Sequence, residues 1–455
     1  MKKMYEGRII YDKNCSLPVY DHVEVLVCGG GPSGVAAAET SARRGRKTLV
    51  LERHGFLGGA AVAGYSGTIC GLFFCSNHPE SDMPRQAVFG WADRFYRQMK
   101  KRGHVTLPQL YGKTWLVPFD PQGWKETAED MLIASEAKIL YHVSILGVIM
   151  DGDEFLGVVI DTKQGLAQIR ADMLIDATGD ADLIYRAGLP YTLGDGGDIQ
   201  NPTMIFRLGN VDIDAFLSFW GVDTISPDAV GDLMLRARAE KGYSLPRLKV
   251  WVYPTNRPHE LFMNVTAITG LDGRSLNALD PEDHSEAERA ARQQVREYAA
   301  FFKEYIPGCQ NSFVEDLSAD VGVRQTRSIV GIDRLKDEDV AEGRKRTDGI
   351  AACPWPIELH NGEKPFMHWL INDYYEVPYG ALVPVRGEHI ICAGRNISAE
   401  HKAMASCRVT AQCFGYGQAA AIACDMALSQ NRRLREIPGE SVRQELNREG
   451  AGLDI

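Results

Sequence analysis

Apolar residues run almost without interruption through 23–27, give way to a cluster of glycines at 29–34, and return in an alanine-rich stretch at 35–44. That succession predicts a buried strand, a tight turn and a helix. Gly45 supplies the helix stop, and a second apolar run at 47–51 closes on Glu52. Strand, glycine loop, helix, strand and acid together predict one βαβ unit. Related patterns recur far downstream. Residues 170–176 read as a strand entering the small residues 177–182, and 388–393 as a strand leading through Gly394 into a helical stretch at 404–428. Between about 188 and 320 the pattern is mixed. Strands are expected at 203–208 and 250–253 around a helix, a further strand at 261–266, and a helix at 286–303.

The first unit has the chemistry of a nucleotide site. Gly29 permits the tight turn, Gly31 lets backbone approach a pyrophosphate, and Gly34 lets the helix pack closely on the strand. Pro32 and Ser33 open the helix, whose unpaired N–H groups and partial positive charge favour a diphosphate. Glu52, about 20 residues beyond the first glycine, is placed to accept hydrogen bonds from a ribose diol and to repel a 2′-phosphate. This unit by itself does not separate FAD from NAD, because both carry the same adenosine diphosphate end.

Composition narrows the class. The chain has 455 residues, 45% of them apolar and 24% charged, and its formal net charge is −10. Two domains with sizeable cores are expected, and a nucleic-acid partner is not, because clustered Lys and Arg are missing. The start of the chain, with Tyr5, Glu6 and Arg8, lacks the apolar run of a signal peptide. No apolar stretch is long enough for a membrane helix. A cytoplasmic protein without a membrane partner is therefore expected. The ten cysteines include no Cys-x-x-Cys pair, so neither an iron–sulfur nor a metal site is expected.

Three blocks carry a family resemblance: 29–34 with Glu52, the strand into Ala177, Thr178, Gly179 and Asp180, and the strand into Gly394, Arg395 and Asn396. Together they resemble the FAD domain of glutathione-reductase-like flavoproteins, which is assembled from segments remote in sequence. More narrowly, 322–331 and 394–401 are similar to the FAD-dependent oxidoreductases that include fumarate-reductase-like and heterodisulfide-reductase-like relatives. Arg408 and the run from Gly417 to Ala420 continue that likeness. The resemblance covers 22–65 and 320–430 well and the middle of the chain poorly. It implies FAD as cofactor, with Glu52 on the adenosine ribose and Arg53 beside it. Gly58 and Gly59 would lie by the pyrophosphate, Val143 by the adenine, and Ala177, Gly179 and Asp180 on the returning strand. Gly394 and Arg395 would approach the ribityl phosphate, and Arg408 and Gly417 complete the cofactor set. The last helix, from about Ser406, would aim its positive end at the flavin pyrimidine. Cys70 and Cys75 share the internal spacing of a redox disulfide but lie at the wrong offset, which favours structural thiols.

The expected fold is α/β: a discontinuous Rossmann-type FAD-binding domain (1–190 and 321–455) with an inserted mixed α+β substrate or cap domain (191–320). The expected activity is hydride transfer between flavin N5 and a small polar organic molecule, at a C–OH, C–N or activated C=C bond. His401 is the candidate acid or base, Arg324, near Arg327, the candidate oxygen clamp, and Tyr375 a candidate pocket aromatic. The rival readings are a flavin-containing electron-transfer subunit of a larger redox complex and a flavin-dependent RNA-modifying scaffold. A homo-oligomer is compatible with either outcome.

Overall fold

The computed structural model describes residues 9–360 and 363–453; the charged start around Tyr5, Glu6 and Arg8 lies outside them. The architecture grows from the strand Val19–Cys28, whose Val25, Leu26, Val27 and Cys28 are fully buried. A strand apolar on both faces belongs at the centre of a parallel sheet. Its neighbours run in the order Ile390–Cys392, Gly165–Asp176, Val19–Cys28, Thr48–Leu51 and Lys138–Leu140, all parallel. The predicted βαβ unit is thus present, with the helix at Pro32–Arg43.

The long strand Gly165–Asp176 changes partner midway. Its first residues pair antiparallel with Glu154–Thr162, which continues to Ser144–Asp151 and the edge strand Ile10–Asp12. Its last three pair parallel with Ile390–Cys392. Asp176 ends this strand as a buried hub. Its carboxylate accepts from Thr178 Oγ1 (2.7 Å), Leu183 N (3.0 Å) and Asn396 Nδ2 (3.3 Å), tying the returning turn to the late strand. Burial raises its pKa to about 6.

A second lobe is built on an antiparallel sheet in the order Trp251–Pro254, Leu261–Asn264, Phe206–Gly209 and Phe313–Leu317. The helix Pro281–Tyr305 backs it, capped by Asp280, which accepts from Glu282 N (2.8 Å) and Asp283 N (3.0 Å). Tyr298, Phe301 and Phe302 of that helix share a core with Phe206 and Met263. The expected strand at 203–208 begins later, because Thr203 leaves the sheet to exchange backbone hydrogen bonds with Gly322. Flanking the lobe, Tyr191–Leu193 pairs with Arg327–Ile329, so its entry and exit lie together.

The sequence pattern gave no warning of a three-stranded sheet formed by Thr68–Ile69, Thr114–Pro118 and Gln109–Tyr111, nor of the hairpin Ile357–Leu359 with Phe366–His368. Downstream, the single helix expected over 404–428 is two, His401–Cys407 and Thr410–Gln430. Val409 between them is extended (ψ 164°). Ser406 therefore ends one helix, with its hydroxyl on the Trp355 carbonyl, and the helix start that faces the sheet's end is Thr410. No described helix is long and apolar enough to cross a membrane.

Candidate active site

A crevice of about 950 Å³ opens where the parallel strands end, the usual ligand position in open α/β sheets. Gly29, Gly31, Pro32 and Ser33 form its floor. Gly29 and Gly34 are sterically required. A Cβ on Gly29 would meet the Ala177 carbonyl oxygen at 2.5 Å, and one on Gly34 the Gly29 oxygen at 1.8 Å. Gly31 has nothing nearer than 3.8 Å, leaving its backbone open to a ligand. Gly58 N donates to the Gly30 carbonyl (2.8 Å), which presses Gly59 against Gly31.

At one end of the crevice Glu52 is held in place by three hydrogen-bond donors. Its carboxylate accepts from Gly30 N (2.8 Å) and His54 N (2.8 Å), with His54 Nδ1 at 3.1 Å. Burial pushes the carboxyl up, but the His54 and Gly30 hydrogen bonds outweigh it and hold Glu52 below its ordinary value. A carboxylate has about four lone-pair positions, so about one remains for a further donor. His54 Nε2 lies 3.3 Å from Asp320, and Asp320 and Glu52 raise its pKa to about 9. Arg53 pairs with Asp320 at 2.7 Å, and Val143 lines the same end.

Midway, Ala177, Gly179, Asp180, Gly394 and Arg395 line the crevice. Arg395 Nη2 lies 2.6 Å from Asp180 Oδ1. Gly34, Gly58 and Gly417 do not line it. Gly417 packs the Thr410–Gln430 helix onto the Pro32–Arg43 helix, where a Cβ would meet the Ser33 carbonyl oxygen at 2.0 Å. Gly417 thus bears on the crevice only through packing.

The opposite end is walled by Tyr111, Trp251, Tyr253 and Trp355, with Cys70, Arg324, Glu358, His360 and Arg408. Tyr111 donates its O–H to Glu358 Oε1, and His360 Nε2 lies 3.2 Å from the same oxygen. Arg247 Nη2 lies 2.9 Å from His360 Nδ1. Guanidinium has no acceptor, so Nδ1 must accept; Nε2 then carries the proton and His360 is neutral. Burial and the charge of Arg324 lower its pKa to about 3, in agreement. Glu358 is pushed up by burial but held down to about 2 by His360 and Tyr111. Tyr111 is pushed far above an ordinary phenol by burial and by Glu358.

Of the three catalytic candidates, only Arg324 faces this end. Tyr375 is fully buried, its hydroxyl 2.8 Å from Ser406 Oγ, and does not line the crevice. His401 opens the short helix outside the crevice, its Nδ1 buried without a hydrogen-bond partner. Arg327 is tied to Asp182 at 3.0 Å and stacks over Tyr185. All ten cysteines are free. Cys75 donates to the Pro354 carbonyl, and burial raises the Cys70 and Cys75 thiols to about 12, which leaves them poor nucleophiles. Among the described residues no cluster could hold a metal ion.

Residues 24–446 match the profile of a family described as FAD dependent oxidoreductase. Over 171 residues the chain is 32% identical to thiamine thiazole synthase of Methanococcus vannielii, covering 36% of this chain and 58% of that protein. Over 232 residues it is 25% identical to digeranylgeranylglycerophospholipid reductase of Thermoplasma volcanium, covering 51% of this chain and 53% of that protein. The chain thus spans little more than half the length of these relatives. A geranylgeranyl bacteriochlorophyll reductase-like structure from Thermoplasma acidophilum superposes on 95% of this chain and 84% of its own, with TM-score 0.49 and 15% identity.

Proposed function

The chain belongs to the FAD dependent oxidoreductase family, and on that premise we propose that it exchanges hydride between flavin N5 and a small polar organic substrate, at a C–OH, C–N or activated C=C bond. One observation carries this reading: Glu52 and Tyr111 line one continuous crevice, with the glycine cradle between them. FAD fits that order, adenosine toward Glu52, pyrophosphate on Gly31 and Gly59, and the ring system toward the aromatic wall. When bound, it supplies the two-electron chemistry.

The chain's own residues handle binding and protons. Arg395, held by Asp180, stands where a phosphate or ribityl oxygen needs a cation. The Thr410–Gln430 helix presents its positive end to the crevice through Val409 and Thr410. Trp251, Tyr253 and Trp355 exclude water from the reacting end. Glu358 aligns the Tyr111 hydroxyl and the neutral His360, so a proton is stored at the Tyr111 oxygen. In the reductive direction Tyr111 would give that proton to the substrate atom next to the one that receives hydride, with the charge of Arg247 easing the phenolate left behind until solvent reprotonates it; oxidation would run the path backwards.

The test is reconstitution with FAD followed by anaerobic screening of metabolites for bleaching of the bound flavin. A yellow protein bleached by a small polar organic compound is expected. Protein that stays colourless after reconstitution overturns the reading.

A further inference from the structure

The aromatic end of the crevice has an imbalance of charge and of hydrogen-bond donors. Arg324 and Arg408 reach its wall, and Arg247 stands behind His360. Arg247 and Arg324 are only 3% and 6% exposed. Guanidinium stays ionised even when buried, and buried charge needs a counter-charge. The described residues of this cluster offer one, Glu358, against three cations, since His360 is neutral. The other partners are uncharged: Arg324 Nη1 donates to the Asn201 carbonyl (2.7 Å) and Arg408 Nη2 to Gln200 Oε1 (3.2 Å). Burial, with Arg247 and Arg408 nearby, pulls Arg324 far below an ordinary guanidinium, so a nearby negative charge would be favoured.

The unsatisfied atoms tell the same story independently. Arg247 Nη1, Arg408 Nε, Trp251 Nε1 and Trp355 Nε1 are buried donors without an acceptor. Buried polar groups are nearly always paired. These atoms are closed off from the crevice and mark surroundings short of acceptors; Arg324 and Arg408, which do line it, carry the positive charge that a bound anion would balance. The dinucleotide's phosphates belong at Gly31 and Gly59, on another stretch of the crevice. A carboxylate matches the guanidinium fork in shape and charge, and the rings of Tyr111, Trp251 and Trp355 suit an apolar body attached to it.

We propose that this end of the crevice is an anion pocket for the substrate: a small organic carboxylate, its charged group between Arg324 and Arg408 and its carbon skeleton against Tyr111, Trp251 and Trp355. This deepens the oxidoreductase reading and rests on it for the role of the crevice.

The apoprotein and the FAD-loaded protein are titrated with benzoate, succinate, benzamide and inorganic phosphate, following the melting temperature of both and the flavin absorption bands of the loaded form. At least one carboxylate is expected to raise the melting temperature and perturb the bands, with benzamide and phosphate about ten-fold weaker or silent. Arg324→Met should weaken the carboxylate response about ten-fold or more. Glu358→Gln keeps the shape but removes the internal counter-charge, so it should tighten carboxylate binding several-fold, an effect a purely structural cluster would not produce. Should Arg324→Met fail to fold, Glu358→Gln decides alone. Benzamide equal to benzoate, phosphate equal to both, or Glu358→Gln weakening the response would overturn the pocket. A protein that takes up FAD yet ignores every carboxylate loses only this inference; one that never takes up FAD loses the oxidoreductase reading as well.

Discussion

Arg395 and Asp180, from segments remote in sequence, meet at 2.6 Å, and Thr326 joins them, donating to Asp180 (2.5 Å) and accepting from Arg395 Nη1 (3.0 Å). Three remote stretches are thus closed into one triangle beside the glycine loop. Arg395→Ala should cost about 1.5–3 kcal/mol through the lost charged hydrogen bonds and loosen FAD. Urea unfolding and flavin fluorescence release check both; unchanged retention would remove Arg395 from the cofactor site.

Glu52→Ala takes away the ribose acceptor and leaves the Gly30 N–H without its partner. Loss of hydrogen bonds to a charged group, about 1.5–3 kcal/mol each, predicts FAD affinity lower by at least about ten-fold. Fluorescence titration of the apoprotein measures it.

His54 gives the adenosine end a pH dependence of known sign. Its pKa is raised to about 9 by Asp320 and Glu52, above the unfolded value of about 6.5. Its stabilisation is then complete below about 6.5 and is lost as pH rises through 9. Melting temperature should fall across that window, and His54→Gln should flatten the fall. An equally steep decline in the variant would rule His54 out as its source.

Tyr111→Phe removes the hydroxyl proton that Tyr111 donates to Glu358 without changing the ring. Turnover should drop by about 10² with FAD retained. His401→Ala, outside the crevice, should leave turnover within about two-fold. Stopped-flow reduction of the two variants distinguishes the assignments; a large loss in His401→Ala alone would reverse them.

Gly417→Ala sets two effects against each other. Alanine favours a helix interior by about 1 kcal/mol, but its Cβ would lie 2.0 Å from the Ser33 oxygen. Overpacking of about 1–3 kcal/mol should win, lowering the melting temperature and FAD retention together. A stabilised, fully loaded variant would show that the two helices can separate without harm.

The Glu52 end of the crevice was legible because its signals are local: Val23 to Glu52 compress strand, loop, helix and acid into one contiguous pattern. The late strand and Arg395 were legible through the same strand-glycine pattern. The reacting end was not. Tyr111, Arg247 and the Glu358–His360 pair come from three separate segments, none with a periodicity that marks chemistry, and only folding turns them into one hydrogen-bonded array. His401 and Tyr375 were attractive for residue type and neighbourhood, yet an extended Val409 splits the expected helix and moves the helix start to Thr410. Gly417 lay beside the cofactor in sequence pattern, while its actual constraint is contact between two helices.

The pairing of Ile390–Cys392 with the end of the long strand has a consequence for biosynthesis. The glycine loop is made before the strand, arginine and helix start that finish its cradle, which follow it more than 300 residues later. During translation the loop waits as an unfinished nest with apolar edges uncovered. A cradle finished only by so late a strand is expected to hold a dinucleotide firmly only after that strand has docked.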